Sequence, residues 1–427
     1  SWAPTAPASR RSPTPSPGVP QPTSPIVLLA PDLAPADTAG LDPSLVIALV
    51  TQFGGPTSHT AIIARQLGIP CIVAVGELEK VADGTPIVVD GTTGTIRWGV
   101  PELETQKLVL EENARRAEIA SWKGPAHLKS GQHVYLIANV QDGAGARKAS
   151  QTDAEGVGLF RTELCFLSAK TEPSVSEQAK IYGEVLEAFR GKKVVIRTLD
   201  AGSDKPVPFA NHEEEENPAL GVRGIRMQFA TEGMLDRQLD GIAAAKRETQ
   251  QGENVWVMAP MVATIDEARR FAAAARERDL RAGIMVEVPS VALMAEQFIK
   301  EVDFLSIGTN DLTQYTMAAD RLAPSLAYLT DPWQPAVLQL IAKTAWAGID
   351  AGKPVGVCGE AAADPLLACV LTGMGITSLS MASAAIAAVG VQLKKVTLVQ
   401  CREAAQKVLG ALTSAEARQI AQEVLAG

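Results

Sequence analysis

From residue 26 onward, short apolar runs alternate with longer stretches of helical spacing. IVLLA begins at Ile26, LVIALVT covers 45–51, CIVAVG covers 71–76, and PIVVDGTTGTIRW (86–98) reads as a hairpin around Gly91. Between the second and third runs, HTAIIARQLG places Ile62, Ile63 and Leu67 on one helical face, and Gly68 supplies a natural stop. These elements predict a small α/β domain over 26–100. The charge-rich stretch PELETQKLVLEENARRAEIASW then predicts a linker helix within 101–128, most of it a solvated face.

Beyond residue 129 the rhythm changes to eight β-like runs separated mostly by helical material: HVYLIAN (133–139), GVGLF (156–160), KVVIRTL (193–199), VWVMAP (255–260), GIMVEV (283–288), DFLSIG (303–308), PVGVC (354–358) and ITSLSM (376–381). Such alternation predicts an α/β architecture with a (β/α)8 TIM barrel over 129–427. Polar residues gather where these runs end. Arg161 follows the second, Arg197 and Asp200 close the third, Glu287 closes the fifth, Asn310 and Asp311 follow the sixth, and Cys358 and Glu360 end the seventh. Active sites of such barrels sit at the C-terminal ends of the strands, so the pattern points to fold and site together.

Composition narrows the possibilities. The first 25 residues hold eight prolines and little that packs, which reads as a disordered Pro-rich leader. A formal charge of -9 over 427 residues argues against nucleic acid as a partner, because each phosphate contact needs local Lys or Arg. The five cysteines show no CxxC spacing, which suits reduced thiols and a cytoplasmic location. No apolar run approaches the roughly 18 residues of a membrane span, so no membrane insertion is expected. GVGLFR (156–161) lacks the third glycine of a dinucleotide loop, and GIDAGKP (348–354) lacks P-loop spacing, so neither predicts a nucleotide site.

His59 is one of four histidines and stands in GGPTSHTAIIARQLG, where a Gly-Gly-Pro turn leads into a helix start whose free N–H groups attract phosphate. Its imidazole is either a nucleophile that carries a phosphoryl group or a turn and capping residue. No second ligand at metal spacing lies beside it. Arg161, Arg197, Lys205 and Arg223 are placed to converge on a phosphate, or to form ordinary ion pairs. Glu287 and Asp311 are either a Mg²⁺ pair or acids neutralised by those arginines. Cys358 is an acid acting on carbon or an inert buried thiol.

Together, GGPTSHTAIIARQLGIPCIVAVG, RTELCFL, VVIRTLDAGSDKP, EENPALGVRGIR, IMVEVPS, FLSIGTNDLTQYTMAADR and PVGVCGEAAADP resemble Enzyme I of the bacterial sugar phosphotransferase system, the phosphoenolpyruvate-protein phosphotransferases. The resemblance runs from about Ile26 nearly to the end. It implies a swivelling phosphohistidine domain joined through a helix to a phosphoenolpyruvate-binding barrel. It implies that His59 is phosphorylated, that Arg161, Arg197 and Arg223 bind the substrate phosphate, that Glu287 and Asp311 hold Mg²⁺, and that Asn310 and Arg321 position the substrate with Lys205 close by. It also implies that Cys358 protonates the enolpyruvate, that the phosphoryl group passes to the carrier HPr in sugar uptake, and that the chain is a homodimer through its barrel.

One departure from the family pattern stands out: neither an N-terminal strand nor an inserted helical docking domain for HPr is visible before Ile26. A small domain short of one strand, and poor transfer to HPr, are therefore expected. The competing readings are a fragment of a pyruvate phosphate dikinase or phosphoenolpyruvate synthase, which would need an ATP-binding domain, and a non-catalytic regulatory module of the same fold. Retention of His59, Glu287, Asp311 and Cys358 speaks against the second. Thr413 and Glu416 near the C-terminus have the spacing of a capping box.

Overall fold

The computed structural model describes residues 2–10, 24–31, 33, 41–53, 60–61, 64, 69–73, 75–91, 94–167, 169–202, 206–210 and 214–426. The chain forms two compact units, the first of Ser1–Ser121 with Leu322–Ser325 and the second of Trp122–Arg321 and Leu326–Gly427.

The first unit holds a six-stranded sheet in the order β4-β3-β2-β1-β5-β6. Its strands are β1 (Trp2–Arg10), β2 (Ile26–Ala30), β3 (Val46–Thr51), β4 (Cys71–Ile72), β5 (Pro86–Asp90) and β6 (Thr95–Trp98). Alternate residues of β2 enter different apolar clusters, Val27 and Leu29 on one face and Ile26, Leu28 and Ala30 on the other. A sheet covered on both faces has no use for polar alternation, which is why IVLLA is continuously apolar. The expected hairpin is present, with Val89 opposite Ile96 and Ile87 opposite Trp98. The third expected run, 71–76, is a strand only at Cys71–Ile72. The helix expected after His59 lies largely outside the described residues, as does His59 itself.

The leader is corrected by β1. Residues 2–10 are a central strand, parallel to β2 with Ala8 opposite Val27 and antiparallel to β5 with Ala6 opposite Ile87. The unit is therefore not short of a strand at this position. Proline count misled because a proline is tolerated in a sheet where pairing is interrupted. The register against β5 shifts between Ala3 and Ala6, and Pro4 falls in that gap.

Helix Glu102–Ser121 forms where the charge pattern places it, and Glu112 is its one buried residue. Arg115 and Arg116 both donate to that carboxylate, at 2.7 and 2.8 Å through their Nε atoms.

The second unit is a closed parallel barrel of β7 (Tyr135–Val140), β8 (Gly156–Arg161), β9 (Lys193–Arg197), β10 (Val255–Ala259), β11 (Arg281–Val286), β12 (Phe304–Ile307), β13 (Val355–Val357) and β14 (Ser378–Met381). Each coincides with one of the eight runs. Side chains pointing outward pack under the helices, among them Phe160, Ile196, Val257 and Ile284 with Tyr182, Phe271, Phe298 and Trp333. Inward-pointing Leu159, Val195, Met258, Met285, Phe304 and Cys358 form a separate interior cluster. This division is the strand period of two applied to a closed sheet.

Helix starts are fixed locally. Ser174 with Glu177, Thr264 with Glu267 and Thr397 with Gln400 close reciprocal capping boxes. The expected box at the last helix, Ser414–Ala426, is half made: Glu416 donates its N–H to Thr413 Oγ1, but its carboxylate accepts from Leu412 N. Among the described residues, no single helix is long and apolar enough to cross a membrane.

Candidate active site

The strand ends of the barrel deliver charged groups into one buried cluster. Arg197 ends β9 and is 6% exposed. Its Nη2 donates to Glu163, two residues past the end of β8, and its Nη1 lies 3.3 Å from Asp200 Oδ2 and 3.9 Å from Glu287 Oε1. Burial works against the Arg197 charge, but Glu163, Asp200 and Glu287 outweigh it and raise its pKa.

Arg223 reaches the same cluster from the segment after β9. It grips Asp200 with two bonds, Nε to Oδ1 at 3.0 Å and Nη2 to Oδ2 at 2.9 Å, and also donates from Nη1 to Asp311 Oδ1 at 3.0 Å. Tyr315 Oη lies 3.3 Å from the same Nη1. Gly224, with φ 61 and ψ -126, occupies a conformation open in practice only to glycine. It turns the chain into helix Ile225–Ala230 directly behind Arg223.

Glu287 and Asp311 come from the ends of β11 and β12, and both are buried. Met261, itself at φ 60, donates its N–H to Glu287 Oε2 at 2.8 Å. Burial, then the charges of Asp311 and Asp200, push Glu287 up to about 8 against the opposing pull of Arg197 and Arg223. Asp311 Oδ2 also accepts from Arg321 Nη1 at 3.4 Å. Asn310 Oδ1 accepts from Glu360 N at 3.0 Å, tying β12's end to the segment after β13.

Cys358 follows β13 and is 2% exposed. Its thiol faces Ile307 O at 3.6 Å, and burial pushes its pKa up to about 11. Arg161 ends β8 half-buried, and its guanidinium makes no hydrogen bond or ion pair to another described residue. The structure thus brings Arg197, Arg223, Glu287, Asp311 and Arg321 into one ionic network, with Asn310, Arg161 and Cys358 at neighbouring strand ends. His59 and Lys205 lie outside the described residues.

Sequence reasoning missed Glu163 and Met261 and left Asp200 without a role. Glu163 stands two residues after Arg161 in RTEL, so its placement past a strand end was the available signal. Nothing in the sequence marks Met261, which acts through its backbone.

Two buried atoms of this network have no hydrogen-bond partner, Glu163 Oε2 and Arg197 Nε. Unsatisfied charged groups at a barrel mouth fit a site arranged for an ionic ligand. A divalent cation also fits the donor set. Glu287 and Asp311 offer oxygen only, and among the described residues no group of three or more acidic, His or Cys side chains forms a complete cage. That suits Mg²⁺, which keeps waters and takes substrate oxygens. The space beside Glu287 is kept by Gly308, where a Cβ would lie 3.0 Å from Glu287 Oε1.

Comparison with known proteins agrees with this geometry. Residues 115–398 match the family described as PEP-utilising enzyme, PEP-binding domain, and residues 22–94 match PEP-utilising enzyme, mobile domain. The chain is 50% identical over 97% of its length to the phosphoenolpyruvate-protein phosphotransferase of Streptomyces coelicolor, and spans 74% of that protein. It is 40% identical over 92% of its length to the protein of that name from Haloferax volcanii and 38% identical over 92% to that of Bacillus subtilis, spanning 71% of each. The chain belongs to the phosphoenolpyruvate-protein phosphotransferase family and is an enzyme of that family.

Proposed function

We propose that this chain transfers the phosphoryl group of phosphoenolpyruvate to its own His59, releases pyruvate, and passes the group on to HPr. The observation that carries the proposal is the buried network at the barrel mouth, where Arg197 and Arg223 share Asp200 and reach Glu287 and Asp311. In this reading 26–100 together with strand β1 is the phosphohistidine unit, 101–128 the linker and 129–427 the phosphoenolpyruvate-binding barrel, with a second copy of the chain packed on the barrel.

Arg161, Arg197 and Arg223 hold the substrate phosphate. Arg161 is available for it, and the two others exchange part of their carboxylate contacts for phosphate oxygens. Guanidinium groups suit this because they bind such oxygens in pairs. Asn310, Arg321 and Lys205 orient the enolpyruvate portion. Glu287 and Asp311 would hold Mg²⁺, which when bound supplies positive charge against the phosphate oxygens. His59 attacks phosphorus through a neutral ring nitrogen as the P–O bond to enolpyruvate breaks, and positioning and electrostatics do most of the work. Cys358 then gives its proton to the methylene carbon of the enolpyruvate, and a thiol held near pKa 11 is protonated at neutral pH, as that role requires.

The test is incubation of the chain with phosphoenolpyruvate and Mg²⁺, followed by mass spectrometry for an acid-labile phosphate on His59 and assay of the pyruvate formed. One phosphate on His59 per pyruvate is expected. Pyruvate without phosphohistidine, or neither product, overturns the proposal.

A further inference from the structure

Every N–H of the Arg223 guanidinium already has a partner. Arginine offers five such donors in one plane. The edge formed by Nε and Nη2 grips Asp200 at 3.0 and 2.9 Å. The end formed by Nη1 and Nη2 grips Asp311, to Oδ1 at 3.0 Å and to Oδ2 at 3.3 Å. The remaining donor, on Nη1, goes to Tyr315 Oη at 3.3 Å. A guanidinium paired in this way has nothing left for a phosphate. Asp311 is equally occupied, since its Oδ2 also accepts from Arg321 at 3.4 Å. Asp311 can therefore serve a metal only by letting its arginines go, and Arg223 can take a phosphate at its end only by losing Asp311. The two releases are one event. The pair of donors it frees, side by side on Nη1 and Nη2, is the pair that binds phosphate oxygens in a bidentate contact.

We infer that Tyr315 is a positioning residue: its hydroxyl keeps the freed end of Arg223 aimed at the substrate phosphate once Asp311 has turned to the metal. The inference rests on the proposed readings of Asp311 as a metal ligand and Arg223 as a phosphate ligand. After the release Asp200 still holds one edge of the guanidinium, and among the described residues only Tyr315 holds the other. Tyr315 is half-buried on helix Thr309–Met317, four residues beyond Asp311, so both side chains leave the same helix face. Its hydroxyl has a single proton, which it donates to Ala219 O in the turn Pro218–Leu220, with Met261 Sδ 3.8 Å away. Toward Arg223 it can only accept. The turn it grips is itself pinned, because Val222 N donates to Glu215 Oε1 at 2.8 Å and Arg226 Nη1 donates to Gly221 O at 3.0 Å. The acceptor facing Nη1 is thus fixed from two sides, and its contact does not depend on Asp311. Tyr315 acts through Arg223 and touches no reacting atom.

The test measures binding, with Mn²⁺ as the probe and the full chain carrying His59→Ala, so that phosphoenolpyruvate binds without being consumed. Free Mn²⁺, counted by electron paramagnetic resonance, gives the metal affinity with and without saturating phosphoenolpyruvate. The ratio of the two affinities is the coupling between metal and substrate, and it is the same seen from either ligand. In the parent, phosphoenolpyruvate tightens Mn²⁺ binding about 10²-fold. Adding Tyr315→Phe removes one oxygen, keeps the ring, and lowers that ratio about tenfold, while Mn²⁺ affinity without substrate changes less than about twofold. A merely structural role would weaken phosphoenolpyruvate equally with and without metal and leave the ratio standing, so an unchanged ratio in Tyr315→Phe overturns the positioning role whatever the absolute affinities. Mn²⁺ binding that phosphoenolpyruvate does not tighten in the parent overturns the handover at Asp311. Absence of Mn²⁺ binding in the parent overturns the reading of Glu287 and Asp311 as metal ligands instead.

Discussion

Two buried polar networks lie within the barrel unit, and they are built on opposite principles. Outside the strand ring, Gln238 is fully buried and uses both ends of its amide. Its Oε1 accepts from Leu199 N at 2.9 Å and Gln228 Nε2 at 2.7 Å, and its Nε2 donates to Thr162 Oγ1 at 3.1 Å and Tyr182 Oη at 3.2 Å. Tyr182 in turn donates to Gln178 at 2.8 Å. All these groups are neutral. At the mouth, Arg197, Arg223, Glu163, Asp200, Glu287 and Asp311 crowd charge into a dry space and leave Glu163 Oε2 and Arg197 Nε unpartnered. The amide network leaves one neutral atom, Gln228 Oε1, without a partner, whereas the atoms left over at the mouth belong to charged groups. Neutral groups that are mostly paired stabilise modestly at low risk, and buried ion pairs rarely exceed a packed apolar core in stability. The difference teaches that the mouth is arranged for a ligand and the amide network for the fold.

Breaking the mouth has the largest expected effect. Arg223→Ala removes the bidentate partner of Asp200 and the nearest partner of Asp311, leaving them only the longer contacts to Arg197 and Arg321, and should cost about 3–5 kcal/mol in urea unfolding and about 10³-fold in single-turnover pyruvate formation. A loss of stability with pyruvate formation intact would make the mouth structural after all. Next, Cys358→Ala should lower pyruvate formation about 10²-fold or more while phosphoenolpyruvate binding, followed by calorimetry, holds. Unchanged turnover would remove the thiol from the chemistry. The amide network should behave in reverse: Gln238→Leu leaves Leu199 N and neighbouring groups unpaired, costing about 1–3 kcal/mol, with activity at low temperature lowered less than tenfold. A larger catalytic than thermodynamic effect would erase the contrast. Smallest of all, Ser174→Ala should cost about 1 kcal/mol through its capping box and leave phosphorylation unchanged. A shift in catalysis from that remote cap would show that the two networks are coupled.

Much of this was legible in the chain because period and position carry it. Each of the eight barrel runs became a strand, since each carries a run of alternate apolar residues that packs outward under the helices. The ends of those runs located Arg197, Glu287, Asp311 and Cys358 before any contact was known. Pairing was not legible. That Asp200 is shared by Arg197 and Arg223 depends on side chains far apart in sequence, and Met261 contributes a backbone N–H that any residue possesses. The strand at Trp2–Arg10 was hidden because its prolines read as linker composition, and only the register shows where the pairing breaks. Local rules also reached their limit at Glu416, whose carboxylate takes the N–H of Leu412 where the capping pattern predicted that of Thr413.

Closure of the barrel also bears on how the protein behaves when crowded. Every barrel strand is bonded on both sides, so among the described residues the barrel offers no free strand on which another chain could template. Among the described residues, the free rims belong to the six-stranded sheet, at β4 and β6. One is only two residues long, and the other carries Arg97, held 3.1 Å from Glu104. Short and charged rims resist strand-to-strand aggregation. Substitutions that lengthen β4 or neutralise Arg97 are therefore the ones expected to turn a dispersed preparation into a cloudy one.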